Sequence, residues 1–464
     1  MAAKCPFTVK VRLPESSKKK RSYTLCVDTG ASTTWMLANS SEIVKYELDA
    51  SEGKNRTNRK WLPVYGTFFP EKKSLPSTFK ASGPLLRKQY ADGTLLHGSY
   101  TSERVVVRLS NRKPIQREII LGVVEKVNEY WVETFKRQKV SGYLGLGLPS
   151  NNRMYEVLNN VGKYDYFKAG KLKEKWRWRY HAFLHNSVFI FRIGPGGFNF
   201  FHPDSSMFEH ALEESEKDTC LPIADAGYWK TSILKAHLAM VSWPALSITK
   251  ENWEASVRES NGTVDQNRSK VEGDSRREGG GGSQFIHAER KPEDDGTTYV
   301  LEMHSDGHYS TIYGDGSDAE MEREDYYDST NLVVHLDSGS EGIFLPNRFL
   351  SAMVINSTWD LTLTFPEKKT PVVVKNLKVG RDLGFLPPTP KESTKAQSPV
   401  HPDSPNRPLP SPTYLEIILG APFFNRQPVV FVSKQEVKKT KKTKDQVFEE
   451  EFYVDKKPSC VFVS

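Results

Sequence analysis

Two short apolar runs, each ending in Asp, a small hydroxyl residue and Gly, constrain this chain more than any other feature. The first reads Leu25-Cys26-Val27-Asp28-Thr29-Gly30 and the second Val333-Val334-His335-Leu336-Asp337-Ser338-Gly339. A run of this kind reads as a strand, and the strand delivers its carboxylate to the end of a sheet. The hydroxyl can bond nearby backbone or its counterpart in the other motif. The Gly permits a tight turn and lets two backbones approach. One such tripeptide occurs in many unrelated turns. Two of them, each behind an apolar run, form the internal echo of a chain that otherwise has no short-period repeat.

The rest of the sequence is consistent with a mainly β chain. Phe7, Val9, Val11 and Leu13 alternate with Thr8, Lys10 and Arg12, which is the period of a half-buried strand. The polar stretch 14–21 then reads as a turn and 23–27 as the returning strand of a hairpin. Further strands are expected at 104–109, 119–124, 187–193, 331–336 and 428–432, and one short helix at 153–161. With 464 residues there is room for two domains. Hydrophobic residues make up only 37%, so part of the length is expected to be solvated loop. Two stretches fit that description. Residues 256–328 hold Gly279 to Gly282 and an acidic tract ending in Glu320, Glu322, Glu324 and Asp325, and 387–412 is rich in proline.

Composition excludes several functions. The net charge of +8 reads as a basic surface. A nucleic-acid groove needs aromatic residues among its cations, and the basic runs 18–21 and 438–444 have none, so no nucleic-acid partner is expected. No apolar run approaches the ~20 residues of a membrane span, and no apolar leader follows Met1. The four cysteines, Cys5, Cys26, Cys220 and Cys460, are spaced too irregularly for a zinc site, and all three pairings stay open. Cys26, inside an apolar run, is expected to be a packed thiol. Glycosylation sequons at Asn39, Asn55, Asn261, Asn267 and Asn356 hint at a secretory route.

The paired motifs resemble those of pepsin-family aspartic peptidases, and other features of that family follow in order. Tyr90-Ala91-Asp92-Gly93-Thr94 resembles the flap hairpin, in the form found in plant nepenthesin-like members. Tyr143-Leu144-Gly145-Leu146-Gly147 resembles the segment that braces the first Asp loop, and Ile418-Leu419-Gly420 its partner in the second lobe. A closer match to the flap sequence, Tyr313-Gly314-Asp315-Gly316-Ser317, lies in the acidic stretch with no clear strand pair around it and is expected to be a turn.

The resemblance implies a bilobal fold, with lobes at 1–188 and 189–464 and the active site in the cleft between them. It implies a monomer that hydrolyses polypeptides without a cofactor or metal. Asp28 and Asp337 would be catalytic, supported by Thr29, Gly30, Ser338 and Gly339. Tyr90 would close over the substrate and take a hydrogen bond from the Trp35 indole. A secreted or vacuolar location would follow. Ala31, Glu341 and Ala421 depart from the family pattern and bear on efficiency and pH optimum. The alternative is a catalytically silent binding or inhibitor protein on the same fold.

Overall fold

The computed structural model describes residues 6–13, 22–48, 59–63, 75, 85–89, 95–107, 114–128, 140–148, 183–184, 187–217, 220–224, 228–242, 298–305, 309–314, 320–324, 331–346, 353, 355–366, 368–385, 414–439, 451–455 and 459–463. They form a mainly β molecule with four sheets and little helix, consistent with the pepsin-like fold.

The first sheet holds β1 (Thr8–Arg12), β2 (Tyr23–Asp28), β3 (Thr34–Leu48), β4 (Arg59–Pro63), β5 (Leu85–Gln89), β6 (Leu95–Val107), β7 (Ile115–Asn128) and β8 (Gly142–Gly145), in the order β1-β2-β8-β3-β7-β6-β5 with β4 on β3. The alternation seen in β1 buries Val9 and Val11 and leaves Thr8 and Lys10 outside. β1 and β2 form the expected antiparallel hairpin, with Val9 opposite Leu25.

A second sheet joins chain from distant parts of the sequence. It contains β9 (Ser187–Gly194), β10 (Gly197–Phe200) and β11 (Leu221–Pro222), together with β23 (Val429–Lys439), β24 (Glu451–Asp455) and β25 (Cys460–Val463). A helix, α1 (Ser206–Glu214), packs near it. Its Ser205 cap accepts a bond from the Phe208 amide, and Phe208 and Ala211 are buried. Cys220 and Cys460 are joined in a disulfide.

The third sheet is β12 (Lys230–Ser232), β17 (Asn331–Leu336), β22 (Tyr414–Leu419), β18 (Ile343–Leu345) and β21 (Leu383–Phe385), in that order. It repeats the start of the first sheet. The strand leading to Asp28 lies between antiparallel β1 and parallel β8, and β8 pairs antiparallel with β3. The strand leading to Asp337 lies between antiparallel β12 and parallel β22, and β22 pairs antiparallel with β18. Even single bonds correspond: the Val27 amide donates to Phe7 O, and the Leu336 amide donates to Trp229 O. The internal echo in sequence is therefore an echo in topology. A short helix, α2 (Ala421–Phe424), follows β22.

The fourth sheet runs β16-β15-β14-β13-β19-β20. Its members are β13 (Lys235–Ser242), β14 (Thr298–His304), β15 (Tyr309–Gly314), β16 (Glu320–Glu324), β19 (Thr358–Thr364) and β20 (Val372–Lys378). Here the reading of 256–328 as a solvated insertion is corrected over its described residues, 298–305, 309–314 and 320–324. Its described part is three strands added in sequence to β13, with Leu301 and Met303 fully buried. Tyr313-Gly314 likewise ends a paired strand, with Tyr313 opposite Glu320, so a strand pair does frame that motif. The cause is physical: β16, which carries the charges, is the edge strand of the sheet, where a strand can be highly charged and still pair. Residues 387–412, the helix expected at 153–161 and residues 256–297 lie outside the described residues.

One contiguous set of buried apolar side chains draws members from all four sheets, among them Val11, Phe191, Leu336, Leu238 and Leu361. A second, on the other face of the first sheet, collects Cys26, Trp35, Leu86, Leu96 and Tyr100. Cys26 is not a free thiol, as the sequence suggested, but disulfide-bonded.

Candidate active site

Each Asp leaves its strand at the same place. β2 ends on Asp28, and Asp337 follows the last residue of β17. The turns after them are held by the braces read from the sequence. The Leu146 amide donates to Asp28 O and the Gly147 amide to Ala31 O, while the Gly145 amide donates to Thr34 Oγ1. In the second half, the Asp337 amide donates to Leu419 O and the Ala421 amide to Ser340 O.

The two motifs interlock through their hydroxyl residues. Thr29 Oγ1 donates to Leu336 O at 2.7 Å and accepts from the Ser338 amide at 2.8 Å. Ser338 Oγ donates to Val27 O at 2.9 Å and accepts from the Thr29 amide at 3.1 Å. Four bonds thus join residues 307 to 311 positions apart, all of them buried. Both hydroxyls use their hydrogen and a lone pair.

The glycines complete the symmetry. A Cβ on Gly30 would collide with the Asp337 carboxylate, and one on Gly339 would lie 2.8 Å from Asp28 Cγ. Each carboxylate is therefore seated on the glycine of the opposite motif, a close approach that any other residue would block. Asp28 is buried, 4% exposed, and Oδ1 accepts from the Ala31 amide at 3.0 Å. Asp337 is more open, and its Oδ1 accepts from the Gly339 amide at 2.9 Å. Ala31 and Ala421 are both buried and engaged through their backbones, while Glu341 is half-exposed.

The hairpin β5–β6 carries the expected flap sequence between Gln89 and Leu95, which face each other across the pair. Tyr90 and the tip to Thr94 lie outside the described residues. Trp35 is fully buried, in one cluster with Leu86 and Leu96 of that hairpin, and its ring lies 5.2 Å from that of Tyr143.

Two features escaped the sequence reading. Trp229 donates from its indole N–H to Leu146 O at 2.7 Å, so a residue beside the second motif holds the brace of the first. Only the fold brings them together. The other is a charged network on three adjacent strands behind Asp337. Glu416 on β22 bonds His335 Nδ1 at 3.0 Å and Lys230 Nζ at 3.1 Å, and His335 and Lys230 face each other across β17 and β12. The Tyr228 ring packs edge-on against the imidazole. Burial opposes ionisation of Glu416, but the His335 bond and the charges of His335 and Lys230 overcome it and hold the carboxyl at about 2. A histidine inside the run Val333-Val334-His335-Leu336 was the available signal. Among the described residues no three His, Cys, Asp or Glu side chains are grouped so as to hold a metal ion, and no helix is long and apolar enough to cross a membrane.

Residues 17–183 match the family model of the eukaryotic aspartyl protease. That span contains Asp28, the β5–β6 hairpin and the Tyr143–Gly147 brace, and ends before Asp337. No curated protein matches the chain.

Proposed function

We propose that this chain is an aspartic endopeptidase in which Asp28 and Asp337 jointly activate a water molecule. The observation that carries the reading is the reciprocal lock of Thr29 and Ser338, with each carboxylate resting on the other motif's glycine. Such a lock serves no purpose for two independent turns; it fixes two carboxylates with respect to each other. The aspartyl protease match over residues 17–183 supports peptidase chemistry in general, and the repeated topology extends that support to the part of the chain that carries Asp337.

Two carboxylates in one site resist double ionisation and hold one proton between them. The ionised member takes a proton from the bound water as it attacks the scissile carbonyl. The protonated member donates to the carbonyl oxygen and stabilises the tetrahedral species. The substrate is a polypeptide, and the two halves form lobes on either side of it. The hairpin tip at Tyr90 closes over it and excludes water. Its Tyr-Ala-Asp-Gly-Thr sequence favours a nepenthesin-like flap.

The test is cleavage of an unfolded protein across about pH 3–7, where such a dyad holds one proton, with and without a statine-type transition-state analogue. Asp28→Asn and Asp337→Asn should each lower the rate by on the order of 10²–10⁴-fold or more, since Asn can neither act as base nor share the proton. Thermal stability should change little, because the substitution is nearly isosteric. Wild-type protein that neither cleaves nor binds the analogue would instead be a silent binding protein of this fold.

A further inference from the structure

We propose that Asn356 carries an N-linked glycan. The sequon Asn356-Ser357-Thr358 sits in the turn that opens β19, and among the described residues it is the sequon whose side chains are placed. Asn356 is exposed, with φ 69°, a left-handed conformation that asparagine tolerates better than most residues. The turn is built rather than loose. The Asn356 amide donates to Val379 O at 3.2 Å, and the Val379 amide donates to Ser357 O at 3.0 Å. Ser357 is fully buried and accepts from the Trp359 indole at 2.8 Å, so the backbone is anchored from below while the carboxamide stands outside.

Thr358, which supplies the sequon hydroxyl, alternates with buried Trp359 and is itself only partly covered. Neighbouring Ile355 is 69% exposed, the most open large apolar side chain among those described. A sugar chain on Asn356 would shield it and project into solvent without displacing any packed group. The fourth sheet, which holds this turn, is separate from the two that carry the aspartates, so the modification leaves the proposed catalytic site untouched.

Disulfides point independently to the same compartment. Cys220 and Cys460 are joined across 240 residues, and Cys26 is also disulfide-bonded. Such bonds persist where the milieu is oxidising, and that is where N-linked sugars are added. In the transfer, the Asn356 amide nitrogen attacks the anomeric carbon of an oligosaccharide carried on a lipid pyrophosphate. The new bond is carbon–nitrogen, the sugar–oxygen bond to phosphate breaks, the lipid pyrophosphate leaves, and the amide proton passes to a base of the transferase.

The experiment is peptide mapping of the full chain purified from its own cells. The peptide spanning Asn356 is examined before and after peptide N-glycosidase in heavy-oxygen water. The expected result is a glycopeptide that becomes a labelled aspartyl peptide only after treatment. In secretory expression, Asn356→Asp and Thr358→Ala should each remove one glycan's mass, and Thr358→Ser should keep it, with thermal stability and activity unchanged. Asp also tolerates the left-handed turn, so loss of the glycan is separable from loss of the fold. An unmodified Asn356 peptide from the native chain overturns the proposal.

Discussion

Thr29 and Ser338 are small side chains with an outsized structural burden. Each hydroxyl satisfies a backbone carbonyl and a backbone amide of the opposite motif, in a buried setting where water cannot substitute. Thr29→Val preserves shape and leaves Leu336 O and the Ser338 amide without their partner. Ser338→Ala does the same to Val27 O and the Thr29 amide. Each should cost about 1–3 kcal/mol of stability, the usual penalty for stranding a buried polar group. The two losses should not add, because both break the same lock. Urea denaturation of the two single variants and the double variant measures this directly. Strict additivity would mean that the motifs are held together by their surroundings and not by these hydroxyls.

Strands β12, β17 and β22 carry Lys230, His335 and Glu416 on one face, directly behind the turn that presents Asp337. Burial would raise the Glu416 carboxyl, yet its partners hold it at about 2, against an ordinary value of 4.5. A depressed carboxylate contributes stability that is fully present above its unfolded value and is lost as pH falls through its folded value. The window is therefore pH 4.5 down to about 2. Over that range the contribution should amount to about 3 kcal/mol. Across the pH range proposed for the dyad, about 3–7, the Glu416 carboxyl stays ionised. Glu416→Gln should be clearly less stable than wild type near neutrality, and the gap should close as pH approaches 2. Denaturation midpoints at a series of pH values provide the check. A gap that stays constant down to pH 2 would show that packing, and not charge, is lost in the variant. Glu302, held at about 2 against burial by Lys235, His237 and His304, protects the fourth sheet over the same window.

At the scale of the molecule, what could be read from the sequence was whatever local chemistry dictates. The Asp-Thr-Gly and Asp-Ser-Gly turns and the β1–β2 hairpin follow from residues adjacent in the chain, whereas the Gly145 and Gly420 braces were legible through the family resemblance. The acidic stretch was misread because composition outweighed periodicity: Leu301 and Met303 alternate as a buried strand face should, but charges crowd around them. The Cys26 bond and the Glu416 network depend on pairings that sequence spacing does not specify. Trp229 is the plainest case. Its carbonyl accepts from the Leu336 amide in the strand before Asp337, and its indole donates to Leu146 O, whose own amide donates to Asp28 O. Its ring meets Phe431 at 5.0 Å and Phe191 at 5.9 Å, tying both halves to the second sheet. Trp229→Phe keeps most of the ring and removes only the indole donor. Leu146 O is then buried without its bond, at a cost of about 1–3 kcal/mol. On the proposed reading, the brace behind Asp28 loosens while both carboxylates are retained. The expected outcome is a fall in kcat with KM nearly unchanged, because misplacing one carboxylate weakens the transition state more than the ground state. Steady-state kinetics on a peptide substrate decide the point. An equal rise in KM with kcat preserved would place the role of Trp229 in the walls of the cleft and not in the alignment of its two aspartates.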